Sequence, residues 1–367
     1  MKDKYKVGII GATGMVGQRF ITLLFDHPWY DIEVLAASPR SAGKPYREAV
    51  GKKWCMDIDI PESVADMTVM SAQEDVEEIA KKVDFVFCAV DMKKDEIKAL
   101  EERYAKAECP VVSNNSAHRH TPDVPMIIPE INPEHLEIIG AQRKRLGTSR
   151  GFIAVKSNCS LQSYLPAMAV INEKYPIDHA LVTTYQAISG AGKTFETWPE
   201  MVDNLIPYIG GEESKSEVEP NKILGKIEGG EIVPSTALQI ECQTYRVPVS
   251  NGHTAAIFFS FKDGVKKPSV EEIQDMWRAY KGEPQKLKLP HAPGQFIYVY
   301  TEEEAPDQPQ IKTAREIDGG MAISCGRLRK STQYDYKMVS MSHNTLRGAA
   351  GGAVLLAELL TAKGYMD

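Results

Sequence analysis

Lys6-Val7-Gly8-Ile9-Ile10-Gly11-Ala12-Thr13-Gly14-Met15-Val16-Gly17 is the stretch on which the fold turns. Its first five residues are an apolar strand, and a helical run from Gln18 to Asp26 follows the glycines. Strand, glycine-rich turn and helix are the context in which a dinucleotide fingerprint has physical meaning. Gly11 allows the tight turn, Gly14 lets the backbone approach a pyrophosphate, and Gly17 lets the helix pack close to the strand. The spacing is GxxGxxG, a variant of GxGxxG, and glycines also make ordinary strand-to-helix turns.

The next strand is Ile32 to Ala37. An NAD site usually carries Asp or Glu near the end of that strand, to bind the ribose 2′-hydroxyl. Here the chain reads Ala37-Ser38-Pro39-Arg40-Ser41, with no carboxylate. Hydroxyls and Arg40 suit a 2′-phosphate, so NADP is expected rather than NAD. Further on come a helix over 74–82, the apolar strand Val83 to Val90, a helix over 93–107 and the strand Pro110 to Ser113. This alternation predicts a doubly wound α/β domain, with ligands at the carboxyl ends of its strands. Arg119 lies just past one such end and reads equally as an anion ligand or a surface arginine. Residues 141–150, polar and basic, are expected to form an exposed loop.

Gly151 to Val155 reads as a strand and Leu161 to Tyr175 as a helix, which places Ser157-Asn158-Cys159-Ser160 at their junction. A cysteine at a helix N-terminus gains from the dipole and the free N–H groups, which lower a thiol pKa and can hold an oxyanion. Pro166 predicts a kink or a later helix start. Beyond it, Ala180 to Gln186 is a strand ending at Ile188-Ser189-Gly190-Ala191-Gly192-Lys193-Thr194. The first glycine of a phosphate loop is missing there (Ala187), so an ATP site is rejected. The segment 212–226 looks like a solvated helix end. Asn251-Gly252 predicts a hairpin in which Arg246 and His253 share one face. Asn344 to Gly352 leads into a helix over 353–363 with Gly364 as its cap, returning to the first domain.

With 367 residues, two domains are expected. The formal net charge of -7 argues against nucleic acid or an anionic membrane as partner. The start, Met1 to Lys6, shows no signal-peptide apolar region, and the most apolar late run, Gly348 to Ala362, is too short to span a bilayer. Six cysteines, scattered and without a CxxC pair, support neither zinc nor a redox dithiol. A reduced, cytoplasmic enzyme without a metal is expected.

Taken together, Gly11 to Gly17, Ser38 to Ser41, Ser157 to Ser160, Tyr185 to Gly192, Asp203 to Ile209, Arg246 to Val249 and Gly252-His253 resemble the aspartate-semialdehyde dehydrogenases, in the branch typical of archaea and fungi. The resemblance covers essentially the whole chain. It implies an NADP-binding Rossmann-type domain over 1–156, completed by 344–367, and an α+β catalytic and dimerisation domain with a mixed sheet over 157–343. It implies the reversible, NADP-dependent conversion of L-4-aspartyl phosphate to L-aspartate 4-semialdehyde, on the route to lysine, methionine and threonine. Cys159 would form a thioacyl intermediate, and His253 would be the acid–base. Arg246 would bind the substrate carboxylate, Glu219 its ammonium, and Gln186 would orient it. Arg119, Asn158 and Lys222 would hold phosphate. Gly11, Thr13, Gly14, Met15, Val16, Ser38, Arg40, Ser41, Ser189, Gly190 and Asn344 would contact NADP. The family implies a homodimer or homotetramer. Malonyl-CoA reductase and N-acetyl-glutamyl-phosphate reductase use the same scaffold and are the rival readings. The latter usually carries its cysteine in a Gly-Cys-Tyr context, unlike Asn158-Cys159-Ser160. A cysteine hydrolase and a non-catalytic NADP sensor are rivals of other classes.

Overall fold

The computed structural model describes residues 4–301 and 308–367, so the reading of Met1–Asp3 lies outside it. Seven strands form the first sheet: β1 (Tyr5–Ile10), β2 (Tyr30–Ala37), β3 (Met70–Ser71), β4 (Phe85–Cys88), β5 (Val111–Ser113), β6 (Met126–Ile127) and β7 (Ile153–Lys156). Their order is β3-β2-β1-β4-β5-β7-β6, and every pairing is parallel. Strands β4, β5 and β7 are buried throughout, which is why they read as unbroken apolar runs. The helices α1 (Met15–Leu24), α2 (Val76–Lys82), α3 (Lys94–Lys106) and α4 (Ile139–Leu146) belong to this unit.

Helix α4 occupies much of the segment expected to be an exposed loop. Its basic residues concealed one inward face. Gln142 is fully buried; its amide donates to the carbonyls of Asp123 and Ile153 and its oxygen accepts from the Ile153 N–H. Arg145, on the outer side, pairs with Asp123 and Glu102.

Six strands form the second sheet: β8 (Ile177–Gln186), β11 (Gln239–Arg246), β12 (His253–Phe261), β13 (Ile297–Val299), β14 (Ile323–Lys330) and β15 (Tyr336–Ser342), in the order β11-β8-β12-β15-β14-β13. A separate pair, β9 (Lys226–Glu228) and β10 (Glu231–Val233), lies between β8 and β11 in the chain. The large sheet is mixed: β11–β8 and β13–β14 are parallel, and the rest antiparallel. Along β12, His253, Ala255, Ile257, Phe259 and Phe261 are buried and the residues between them are half-exposed. The inner side holds the helices α5 (Leu165–Lys174) and α7 (Val270–Ala279), tied by the Trp277 indole N–H on the Ala167 carbonyl. The outer side presents the stacked pair Tyr185 and Tyr245. Val202, Leu205 and Tyr208 are also exposed.

The Asn251-Gly252 hairpin does not form. β11 and β12 both pair with β8, which lies between them. Gly252 does take the left-handed conformation (φ 99°) that its turn requires.

Helix α6 (Glu212–Ile223) is not the solvated end expected: Glu219, Pro220 and Lys222 are buried. Pro220 lacks the N–H that would bond the Ser216 carbonyl. The Tyr164 hydroxyl donates to that carbonyl instead, at 3.3 Å.

The last helix, α8 (Ala350–Ala362), returns to the first unit and packs on α1, β5 and β7. It is buried from Ala350 to Thr361, and Gly364 (φ 77°) follows it. Its one charge, Glu358, is fully buried. That carboxylate is satisfied by His27 Nε2 (2.9 Å), His291 Nδ1 (2.6 Å) and the His291 N–H (3.0 Å). No helix among the described residues is long and apolar enough to cross a membrane.

Candidate active site

The carboxyl ends of the parallel strands meet the β8–β12 end of the second sheet. Gly11 bends away from β1 at φ 98°, and a Cβ there would lie 2.3 Å from the Ala89 carbonyl oxygen. A Cβ on Gly17 would lie 2.2 Å from the Gly11 oxygen, so α1 packs on the turn only because both are glycine. Gly14 is exposed at the start of α1 and leaves the helix N-terminus open to an anion. Ser38, Arg40 and Ser41 form a turn just past β2, closed by the Ser41 N–H on the Ser38 carbonyl. No carboxylate occupies that turn.

A cavity of about 380 Å³ runs between the two units. Met15, Val16, Ser189, Gly190 and Asn344 line it on one side, and Arg119, Lys156, Asn158, Cys159, Glu212 and Lys215 on the other. A second hollow of about 670 Å³ shares Met15 and Gly192 with it and reaches Thr13 and Gly14. The two hollows together run from the α1 N-terminus towards Cys159; the β2 turn lines neither of them.

Cys159 lies past β7, before a short helical turn at Leu161–Ser163. Pro166 sits in the first turn of α5, which begins only at Leu165, so the later start is the outcome. The cysteine is thus not at the N-terminus of a full helix. Burial, and then the Glu212 charge, push its thiol above the ordinary range, outweighing Lys156, Arg119 and Arg246. The low thiol pKa expected from a helix dipole is absent in this state.

Cys159 Sγ is 3.5 Å from His253 Nε2. Strand β8 organises what faces them. Gln186 ends β8 and is in register with Arg246 on one side and His253 on the other. The three residues expected to share a site do so because a third strand separates the two that seemed to form a hairpin. The next peptide holds both neighbours: the Ala187 N–H donates to His253 Nδ1 (3.1 Å), and the Ala187 carbonyl accepts from Arg246 Nη1 (2.7 Å). Gly190 passes directly over them; a Cβ there would be 2.8 Å from Arg246 Nη1 and 3.2 Å from His253 Nε2. Asn344 fixes this arrangement, donating to Ser189 Oγ (2.9 Å) and accepting from the Gly252 N–H (2.7 Å).

Burial, and then the Arg246 charge, push His253 down to about 3, so the ring is neutral. The Gly252 carbonyl also lies near the ring and favours a proton on it. The Ala187 N–H is aimed at Nδ1, and Nε2 faces the sulfur.

Two Glu-x-x-Lys pairs lie seven residues apart on α6, and they differ in what they face. Glu212 lines the cavity and accepts from Asn158 Nδ2 (3.0 Å), Gln186 Nε2 (3.4 Å) and Lys215 Nζ (2.6 Å). Burial pushes its carboxyl up, but Lys215, Asn158 and Gln186 outweigh that and hold it below the ordinary range. Glu219 instead spends one oxygen on Arg119 Nη1 (2.9 Å) and the other on the Asn158 N–H (2.8 Å). Lys222 Nζ donates to the carbonyls of Arg119, Thr121 and Val124. Neither Glu219 nor Lys222 lines the cavity. Glu219, expected to take the substrate ammonium, and Lys222, expected to hold phosphate, instead bond protein partners beside the cavity. Reasoning from the sequence missed Glu212, Lys215 and Lys156. The repeated Glu-x-x-Lys spacing was the available signal for the first two.

Residues 6–139 match the family model described as semialdehyde dehydrogenase, NAD binding domain. Residues 168–347 match the semialdehyde dehydrogenase dimerisation domain. The chain is similar to an aspartate-semialdehyde dehydrogenase of Methanothermobacter thermautotrophicus, 42% identical over 96% of this chain and 98% of that one. A protein of the same description from Schizosaccharomyces pombe is 41% identical, covering 98% and 99%. The fold superposes on a crystal structure of aspartate semialdehyde dehydrogenase with NADP from Candida albicans, with a TM-score of 0.87, 38% identity and 99% of each chain covered.

Proposed function

The chain belongs to the aspartate-semialdehyde dehydrogenase family, and from that premise we propose how its own residues carry the reaction and with which cofactor. The single observation that carries this reading is the 3.5 Å contact of His253 Nε2 with the sulfur of Cys159, which itself lines the cavity shared by the α1 turn and the polar groups of α6.

In the reductive direction, the Cys159 thiolate attacks the acyl carbon of L-4-aspartyl phosphate, and phosphate leaves. The thioacyl enzyme so formed is reduced to the aldehyde; NADPH, when bound, supplies the hydride. Collapse of the thiohemiacetal returns the thiolate. His253 was expected to be a general acid–base. We keep it in that part: its Nε2, 3.5 Å from sulfur, takes the thiol proton and then hydrogen-bonds the developing oxyanion. Arg246 offers a planar fork to the substrate carboxylate. Gln186 orients the substrate. Glu212 takes the ammonium in place of Glu219, since it lines the cavity on the same side as Cys159 and Asn158. Arg119, Asn158 and Lys215 hold the phosphate. Glu219 and Lys222 position Arg119 and the Asn158 peptide.

The domain division follows the same reading: 1–156 with 344–367 binds NADP, and 157–343 carries the chemistry and the subunit interface. A homodimer through the outer face of the second sheet would cover Tyr185 and Tyr245. The reading places the enzyme in the cytoplasm.

The test is absorbance at the nicotinamide band with aspartate semialdehyde, NADP and phosphate, with arsenate replacing phosphate as a control. NADPH should appear only when an acyl acceptor is present, and malonyl-CoA should be turned over poorly. Robust malonyl-CoA reduction would refute the substrate assignment. For the cofactor, Arg40→Ala should raise KM for NADP by about tenfold, the worth of one exposed charge-assisted hydrogen bond, and leave KM for NAD unchanged. Equal effects on both cofactors would exclude a 2′-phosphate contact.

A further inference from the structure

The β2 turn lies outside the hollow of about 670 Å³. A dinucleotide whose adenosine end rests on Ser38, Arg40 and Ser41 therefore meets that hollow with the group that comes next, its pyrophosphate. Part of the lining is the glycine turn itself, Thr13, Gly14 and Met15. The rest of the first unit's share is the segment Lys52 to Met56, which lies outside the glycine motif, and Thr194 to Thr197 come from the second unit.

Gln18, in the first turn of α1, joins the glycine turn to that segment. It is 1% exposed. Its Nε2 donates to the carbonyls of Thr13 (3.1 Å) and Lys53 (2.9 Å), and its Oε1 accepts from the Cys55 N–H (2.9 Å). A buried amide with both ends engaged fixes the backbones that it bridges. The segment is braced a second time by Tyr46. That side chain is fully buried, donates to the Ala12 carbonyl (2.9 Å) and meets the Trp54 ring edge-on, 6.4 Å between centroids. Lys52 and Lys53, both exposed, bring two cations to the hollow so built.

We propose that Gln18 is a positioning residue for the cofactor: it holds the segment 52–56 against the glycine turn as a wall of the pyrophosphate subsite. Gln18 itself touches no ligand. It sets the distance between two sources of positive charge, the α1 N-terminus and the Lys52–Lys53 pair, and a pyrophosphate is bound by both. Binding then needs no ordering of the lysine segment, because the amide has already ordered it. The proposal rests on the NADP reading of the first unit. A role confined to folding would not discriminate between ligands that enter this hollow and ligands that stop at the β2 turn.

The experiment is calorimetric titration of the full chain with three probes: NADP, 2′-phospho-ADP-ribose and adenosine 2′-monophosphate. The first two carry a pyrophosphate and the third does not. Gln18→Met keeps the buried length without the amide. It should weaken the first two probes by about tenfold, the worth of one charge-assisted hydrogen bond, and leave the third unchanged. KM for NADP should rise in step, with kcat and KM for the semialdehyde unchanged. Equal loss across the three probes, or loss for none, overturns the proposal. Melting checks that the variant is folded, and a second arm needs no substitution. Lys52 and Lys53 of the unaltered protein are acetylated with acetic anhydride and located by peptide mass. Saturating 2′-phospho-ADP-ribose should abolish their labelling, and adenosine 2′-monophosphate should not. Lysines labelled equally fast with and without 2′-phospho-ADP-ribose overturn the proposal. An unaltered protein that binds none of the three probes would instead bring down the NADP reading, and with it the role of Gln18.

Discussion

Cys159→Ala should lower turnover by at least about four orders of magnitude while leaving NADP binding intact. The sulfur is the only group proposed to bond covalently to substrate, and no other thiol lines the cavity around it. Alanine removes a side chain from a wall of that cavity without disturbing the Asn158 side chain, which accepts from both the Ser160 N–H and hydroxyl. The surface proposed for NADP, at Gly11 to Val16 and the β2 turn, reaches the thiol only where Met15 and Val16 share its cavity. Steady-state NADPH absorbance and calorimetric titration with NADP separate the two effects. Loss of both would mean that the variant is misfolded. Retained turnover would point to a protein in which this cysteine is structural.

Glu219→Ala should cost about 3–5 kcal/mol of stability, because it strands the Arg119 guanidinium in the interior. Glu219 is fully buried, and each of its oxygens holds one partner, Arg119 or the peptide that precedes Cys159. Urea denaturation measures the loss. Glu212→Ala, by contrast, removes a carboxylate that faces the cavity, so it should spare most of the stability and raise KM for the semialdehyde. The pair of variants decides between the two glutamates: a Glu219→Ala enzyme of normal stability and raised KM would return the ammonium site to Glu219.

The first sheet was legible because its signals are local. A five-residue apolar strand, three glycines and a helical run sit within twenty residues, and the missing carboxylate after β2 could be read directly. The second sheet was not, because strand pairing is not local. Asn251-Gly252 has the composition of a hairpin, but β8, more than fifty residues earlier, offers a hydrogen-bonding edge to each of the two strands. Arg246 and His253 still reach one site, since both stand in register with Gln186. The choice between Glu212 and Glu219 was hidden for a different reason. Residues seven apart share a helical face, and only the tertiary partners show which end of that face meets the cavity. Lys156 escaped notice because a single lysine at a strand end carries no pattern.

Helix α8 gives the chain a constraint in time as well as in space. A ribosome releases β1 and the glycine turn long before this thirteen-residue helix, yet twelve consecutive residues of the helix are buried, against elements that emerged earlier. Until α8 emerges, the surface of the nascent nucleotide-binding unit that awaits it is open apolar area. The early half of the polypeptide can therefore form its strands but cannot close its core, and it depends on chaperones or on speed to avoid aggregation.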